Sequence, residues 1–193
     1  MSKLPAIALV EFGSIAAGMF AADKMVKRAS VELLHAGTVQ PGRYLILVGG
    51  GTAEVDESYR AGMAAAPNEI VDDVLLPNVH PQVVKALDGK RTFEGFNSFV
   101  VLETSTIAAI LRATDAAVKG ALVELAELRV GNGLHGRGLA ILTGELTDIE
   151  AAAEIAARVL TGRNVTLCHS IVSNVHEQFA EHVKQTTRFF GGK

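Results

Sequence analysis

Residues 11–33 read EFGSIAAGMFAADKMVKRASVEL, and residues 103–125 read ETSTIAAILRATDAAVKGALVEL. The two blocks align without a gap at an offset of 92 residues, and 12 of the 23 positions are identical. A self-match at one long offset sets the architecture before any local reading does. The match continues outward: Gly42-Arg43 returns as Gly136-Arg137, Gly50 as Gly144, and Asn78-Val79-His80 as Asn174-Val175-His176. The offset grows from 92 to 94 and then 96 along the way, so the second copy carries short insertions. A repeat this long indicates duplicated domains and not a solenoid, whose units are shorter. The expected boundaries are residues 4–92 for the first module and 96–188 for the second.

Each copy spells the same order of elements. Residues 6–12 (AIALVEF) form a short apolar strand. Ser14 can cap the segment after it, where Ile15, Met19, Ala22 and Val26 recur at helical spacing. Residues 31–39 and 43–49 read as strands about Gln40-Pro41-Gly42, where Pro presets φ and Gly accepts positive φ. Gly49-Gly50-Gly51 ends the third strand, and Thr52 opens a helix. A strand at 69–76 and a short helix at 82–87 close the copy. The second copy repeats the order with strands at 98–104, 122–130, 137–143 and 164–172. Its helices fall at 106–120, 147–161 and 176–187, and Thr147 with Glu150 is expected to make a capping box. The fold class is α+β: two tandem ferredoxin-like modules, each βαββαβ plus a C-terminal helix.

Composition narrows the function classes. The 193-residue chain carries a net charge of −3. Residues 1–95 hold 9 basic and 11 acidic residues, and residues 96–193 hold 9 and 10. Neither half has the basic field that nucleic acid requires. The positive charges are scattered, without a polybasic membrane anchor, and no apolar run reaches membrane-spanning length. The apolar N-terminal run is interrupted by Glu11 and recurs at 99–115, which argues against a leader. A single cysteine, Cys168, excludes an intrachain disulfide and fits a reducing compartment.

Local motifs do not point to catalysis. Gly131-Asn132-Gly133-Leu134-His135-Gly136 matches a dinucleotide fingerprint literally, but a strand follows it where the fingerprint needs a helix. Gly49-Gly50-Gly51-Thr52 lies between strand and helix, yet lacks the Lys of a phosphate loop. Its counterpart Gly144-Glu145-Leu146-Thr147 places an acid there, so a turn and cap is the simpler role. His176 and His182 are six apart, on different helix faces, and make no zinc pair. His80 and His176 are repeat equivalents, as are Asp23 and Asp115, and Glu32 and Glu124. Duplicated polar residues of this kind indicate fold or interface roles.

Several features together resemble the bacterial microcompartment shell proteins. They are the strand ending in Glu, the Ile-Ala-Ala helix, the Asp-x-x-Val-Lys-x-Ala-x-Val-Glu-Leu run, the Gly-rich loop and the Asn-Val-His turn. The resemblance covers nearly the whole chain twice, and is to the tandem-domain, unpermuted kind. It implies a non-enzymatic homotrimer that mimics a hexamer, located in a shell within the bacterial cytoplasm. It implies lateral partners among other shell proteins, contact with encapsulated enzymes, and small polar metabolites crossing a central pore. The implied pore lining is Val39, Gln40, Pro41 and Gly42 from copy one, with Gly131, Asn132, Gly133, Leu134, His135 and Gly136 from copy two. Arg43 and Arg137 flank these loops, so a neutral to mildly positive mouth is expected. The implied tile edges carry Lys27, Lys119, Asn78 and Asn174. One branch of this kind holds an iron–sulfur cluster through a cysteine just before Pro-Gly in the first copy. Gln40 stands there, and no cofactor or metal is expected. Two other readings stay open: a trimeric ligand-binding or regulatory protein, and an electron relay.

Overall fold

The computed structural model describes residues 4–93, 96–131 and 133–188. The first module runs β1 (Ala6–Phe12), α1 (Ile15–Arg28), β2 (Glu32–Val39), β3 (Arg43–Gly50), α2 (Thr52–Ala65), β4 (Ile70–Leu76) and α3 (Pro81–Leu87). The second runs β5 (Ser98–Thr104), α4 (Ile107–Gly120), β6 (Glu124–Val130), β7 (Gly138–Thr143), α5 (Leu146–Leu160), β8 (Leu167–Ser173) and α6 (Glu177–Gln185). The sheet orders are β2-β3-β1-β4 and β6-β7-β5-β8, with every pairing antiparallel. The two topologies are the same, as the duplication requires. Even a bulge in the second strand recurs, between Leu33 and His35 and again between Leu125 and Glu127.

Local chemistry explains the element ends. Ser14 Oγ accepts from Ala17 N at 3.3 Å, and Thr106 Oγ1 accepts from Ala109 N at 3.3 Å. Each satisfies one donor that the first turn of a helix leaves unpaired. His80 and His176 cap α3 and α6 through Nδ1, which accepts from Gln82 N and Gln178 N, both at 3.3 Å. The capping box at Thr147 is not formed. Helix α5 begins one residue earlier, with Glu145 as N-cap and no side-chain cap bond. The Glu145 carbonyl already receives Asp148 N and Ile149 N, so the turn closes before Thr147 can cap it.

Each sheet carries its two long helices on one face and its terminal helix on the other. In the first module α1 and α2 bury Ala21, Met25 and Val55 against Ala6, Ala8, Val10, Ile46 and Val48. The opposite face, with Ile7, Leu9 and Leu47, meets Val79 and Val83, and this core continues without a break into the helix-covered core of the second module. Apolar burial, the main stabilising term of folding, thus runs through the junction between the modules.

Candidate functional site: the seam between modules and the two loops

The seam is built from both copies of the repeated block. Helix α4 of the second module lies against β1 and β4 of the first, and α3 of the first lies along β6 of the second. Glu11, at the end of β1, is fully buried. Its Oε1 accepts from Ala108 N at 2.6 Å, at the start of α4, and its Oε2 lies 3.3 Å from Arg43 Nη1. The helix N-terminus and a guanidinium thus hold one carboxylate. Burial nevertheless dominates and raises the Glu11 carboxyl to about 7, while the Ala108 amide and Arg43 oppose the rise.

Further polar contacts knit the seam. Thr106 Oγ1 donates to Asp72. Asp115 Oδ1 accepts from His80 N at 2.8 Å. Gln82 spans to β6, with Oε1 accepting from Leu125 N at 2.6 Å and Nε2 donating to the Val123 carbonyl at 3.4 Å. Arg112 and Arg163 face Asp72 and Asp73 at 3.7–3.9 Å, and Tyr59 donates to Asp73 at 2.7 Å. Burial, followed by the neighbouring Arg163 charge, lowers the Arg112 pKa, and burial with the Asp73 bond raises that of Tyr59.

The counterparts of these surfaces are bare at the chain's two ends. Met19 on α1 is 58% exposed, whereas its equivalent Leu111 on α4 is 0% exposed. Leu33 on β2 is 47% exposed against 4% for Leu125, and Phe179 on α6 is 49% exposed against 0% for Val83. The α1–β2 side of the first module is therefore apolar and uncovered, and the α6 side of the second leaves Phe179 uncovered among the polar His176, Gln178, Glu181 and His182.

The two expected loops lie together. Val39–Gly42 turns β2 into β3, with Gly42 N bonded to the Val39 carbonyl at 3.0 Å and Gly42 at φ 95°. Gly131–Gly136 turns β6 into β7, a strand-to-strand connection with no helix for a dinucleotide. A Cβ on Gly136 would stand 3.0 Å from the Gln40 carbonyl oxygen and 3.3 Å from Arg43 Nη1, so Gly136 is the residue that lets the loops meet. A Cβ on Gly131 would stand 3.0 Å from Val39 Cγ1. Gln40, Pro41, Gly42, Gly133 and His135 are exposed, Leu134 is half-buried, and Asn132 lies outside the described residues. Arg43 pairs with Glu11 and Arg137 with Glu103, so both flanking charges are compensated within the chain. The loops offer backbone groups and an amide, not thiolates. Cys168 is in β8, and among the described residues no cluster of His, Cys, Asp and Glu is arranged to hold a metal.

The remaining expected residues are on the outer surface. Lys27 pairs with Asp23 at 2.7 Å and Lys119 with Asp115, each one turn apart on its helix. Asn78 and Asn174 follow β4 and β8 in exposed turns, and Asn174 Oδ1 accepts from Asn97 Nδ2 at 3.2 Å. Sequence reasoning missed Gln82 and Gln178, although both follow Asn-Val-His at the same spacing. It also missed Asp72, Asp73, Arg112 and Arg163, whose counterparts Cys168, His169, Phe20 and Pro67 preserve none of the charge. Among the described residues no helix is long and apolar enough to cross a membrane.

Comparison with known proteins agrees with this geometry. The BMC domain family matches residues 6–79 and 98–175. The bacterial microcompartment shell protein PduT of Citrobacter freundii is 31% identical over 172 residues, covering 89% of this chain and 94% of that protein. The carboxysome shell protein CcmK3 of a Halothece strain is 31% identical over 77 residues, 38% of this chain and 76% of its own. Among solved structures, a microcompartments protein from Desulfitobacterium hafniense superposes with a TM-score of 0.78 at 36% identity, over 91% of this chain and 98% of that one. A fused permuted hexameric shell protein from the RMM microcompartment shares the fold alone, with a TM-score of 0.57 and 20% identity over 79% and 80% of the two chains.

Proposed function

This chain belongs to the BMC domain family as a bacterial microcompartment shell protein, and from that premise we propose that three copies close head to tail into a six-module tile. The carrying observation is the mismatch between covered and bare equivalents. Leu111, Leu125 and Val83, buried on α4, β6 and α3, have the exposed counterparts Met19, Leu33 and Phe179 on α1, β2 and α6. The bare α6 side of one copy is thus complementary to the bare α1–β2 side of the next. A head-to-tail contact of this kind closes into a ring when its rotation permits, and two modules per chain make six wedges from three chains.

In such a ring the paired loops Val39–Gly42 and Gly131–Gly136 surround the axis, three of each. With Arg43 and Arg137 compensated, the mouth is close to neutral and presents amide and backbone dipoles, which suits small polar metabolites. Lys27, Lys119, Asn78 and Asn174 then sit at the rim, where tiles of this and other shell proteins meet and enclose their enzymes. The role is structural, and its place is the shell inside the bacterial cytoplasm. Light scattering tests the ring: a mass three times the 20.3 kDa chain is expected, and a monomer or dimer at micromolar concentration overturns it. Electron microscopy of overexpressed protein tests the tiling, with sheets or tubes expected and discrete nucleotide-binding trimers pointing to a regulatory protein.

A further inference from the structure

We propose that the seam between copies has a defined register, in which Gln178 of one copy bonds the β2 backbone of the next and Cys168 faces its Ser14. This rests on the head-to-tail ring and adds its atomic contacts. The register follows from structural equivalence. In the sheets, Asp72 pairs with Glu11 as Cys168 pairs with Glu103. Gln82 follows the cap His80 as Gln178 follows the cap His176.

Transferring the internal bonds gives the external ones. Gln82 accepts from Leu125 N and donates to the Val123 carbonyl, so Gln178 takes Leu33 N and the Val31 carbonyl of the next copy. Both strands keep the same bulge at this point, which leaves the two backbone groups equally presented. Glu11 caps α4 at Ala108 N, so Glu103 caps α1 of the next copy at Ala16 N. Within one chain Glu103 is only partly covered, and among the described residues it pairs with Arg137. These bonds address backbone atoms, and a duplicated backbone reproduces them whatever the side chains. The charged contacts do not transfer. The Asp72–Thr106 bond becomes Cys168 opposite Ser14, and the facing charges of Asp73 and Arg112 become His169 and Phe20. The ring therefore alternates ion-clustered seams within chains and seams between chains that lack this cluster.

The test places a thiol opposite Cys168. Wild type is sized first, and a monomer at micromolar concentration overturns the ring itself. Given a trimer, mild oxidation of Ser14→Cys is expected to give disulfide-linked chains on a non-reducing gel, and Ser14→Cys with Cys168→Ser none. Trimers that never crosslink, or crosslink equally without Cys168, overturn the register and leave the ring standing. Should Ser14→Cys fail to fold, Gln178→Ala decides. Trimer dissociation at a concentration about tenfold or more above wild type supports the register, and an unchanged dissociation curve overturns it.

Discussion

Glu11 in the first module accepts a 2.6 Å hydrogen bond from the amide of Ala108 in the second. The residue is the next-to-last strand position of β1 in one copy, and Ala108 is the second helical residue of α4 in the other. One carboxylate therefore satisfies a helix N-terminus across a domain boundary. The same two positions in the opposite copies, Glu103 and Ala16, have no such partner among the described residues. The duplication explains this directly: a chain of two modules has two of each surface and only one internal seam.

The Glu11 contact predicts a pH dependence. Burial raises its carboxyl from the ordinary range near 4.5 to about 7. The folded chain holds this proton more tightly than the unfolded chain, whose glutamates titrate near ~4.3. The stability it contributes is fully present below the unfolded value and is lost as pH rises through about 7. Melting temperature should fall across that window, by an equivalent on the order of 3 kcal/mol for this one group. Glu11→Gln keeps an acceptor for Ala108 N and removes the charge, so its melting profile should be flatter over the same range. An identical profile would assign the titration to another group.

A second prediction concerns Gly18 on α1. A Cβ there would lie 2.6 Å from Tyr44 Cβ and 2.7 Å from its Cδ1. Helix propensity alone favours Gly→Ala by about 1 kcal/mol, whereas overpacking costs about 1–3 kcal/mol. The clash is with the root of a ring on β3, which cannot swing aside, so overpacking prevails. Gly18→Ala should lower the denaturant midpoint; a gain in stability would show that α1 can lift off the sheet.

Much of this was legible in the sequence, because the duplication states each module twice. The strands and helices all appear where alternation, helical spacing and Pro-Gly signals place them, with shifts of a few residues at their ends. The loops were legible as turns, since Gly42 and Gly136 recur at matched positions. The seam was not. Asp72, Asp73, Arg112 and Arg163 are separated widely in sequence and unmatched between copies, and only the packing of α4 on β4 brings them together. The capping role of His80 was hidden because histidine is not among the preferred N-cap residues.

Arg91, in the connection between modules, predicts the behaviour of the last helix. Its guanidinium donates to the carbonyls of Val183, Lys184 and Gln185 at 2.7–3.0 Å and to Glu127 at 2.9 Å. It also stacks on Phe93 at 4.7 Å. The carbonyls that end α6 are therefore satisfied by one side chain. Arg91→Ala should cost about 1–3 kcal/mol and leave Glu127 short of a buried partner. Hydrogen exchange should accelerate in residues 177–185 before it does in β5; uniform exchange across both would argue that the arginine holds nothing locally.

Lys27 gives a prediction at the level of tiles. It is well exposed and, among the described residues, paired with Asp23 on its own helix, an interaction worth about 0.3–0.5 kcal/mol. Lys27→Asp should therefore leave folding and the ring nearly unchanged, while placing a wrong charge at every rim where tiles meet. Trimers by light scattering with no sheets by microscopy is the expected pattern. Normal sheets would remove Lys27 from the tile edge. Lys119 is the poorer probe, because its partner Asp115 holds His80 N across the seam inside the chain, on which the fold of each copy depends, whereas the matching Asp23–His176 contact would form only between copies.

The last prediction concerns passage through the tile. Gln40 is exposed at the tip of the first loop, and its carbonyl abuts Gly136 of the second. In the proposed ring, a change at Gln40 therefore alters the mouth without touching the core. The opposite holds for Gly136, where any side chain would meet the Gln40 carbonyl at 3.0 Å and Arg43 at 3.3 Å and would also strain a φ of 76°. Gln40→Trp should leave melting temperature and trimer mass unchanged, and reduce metabolite flux through assembled shells several-fold. Gly136→Val should lower the melting temperature, by the overpacking cost of about 1–3 kcal/mol, whether or not flux changes. If Gln40→Trp shells pass metabolites as wild type does, the loops do not line the route. If Gly136→Val is as stable as wild type, the two loops are not in contact, and the shared mouth they form is wrong as well.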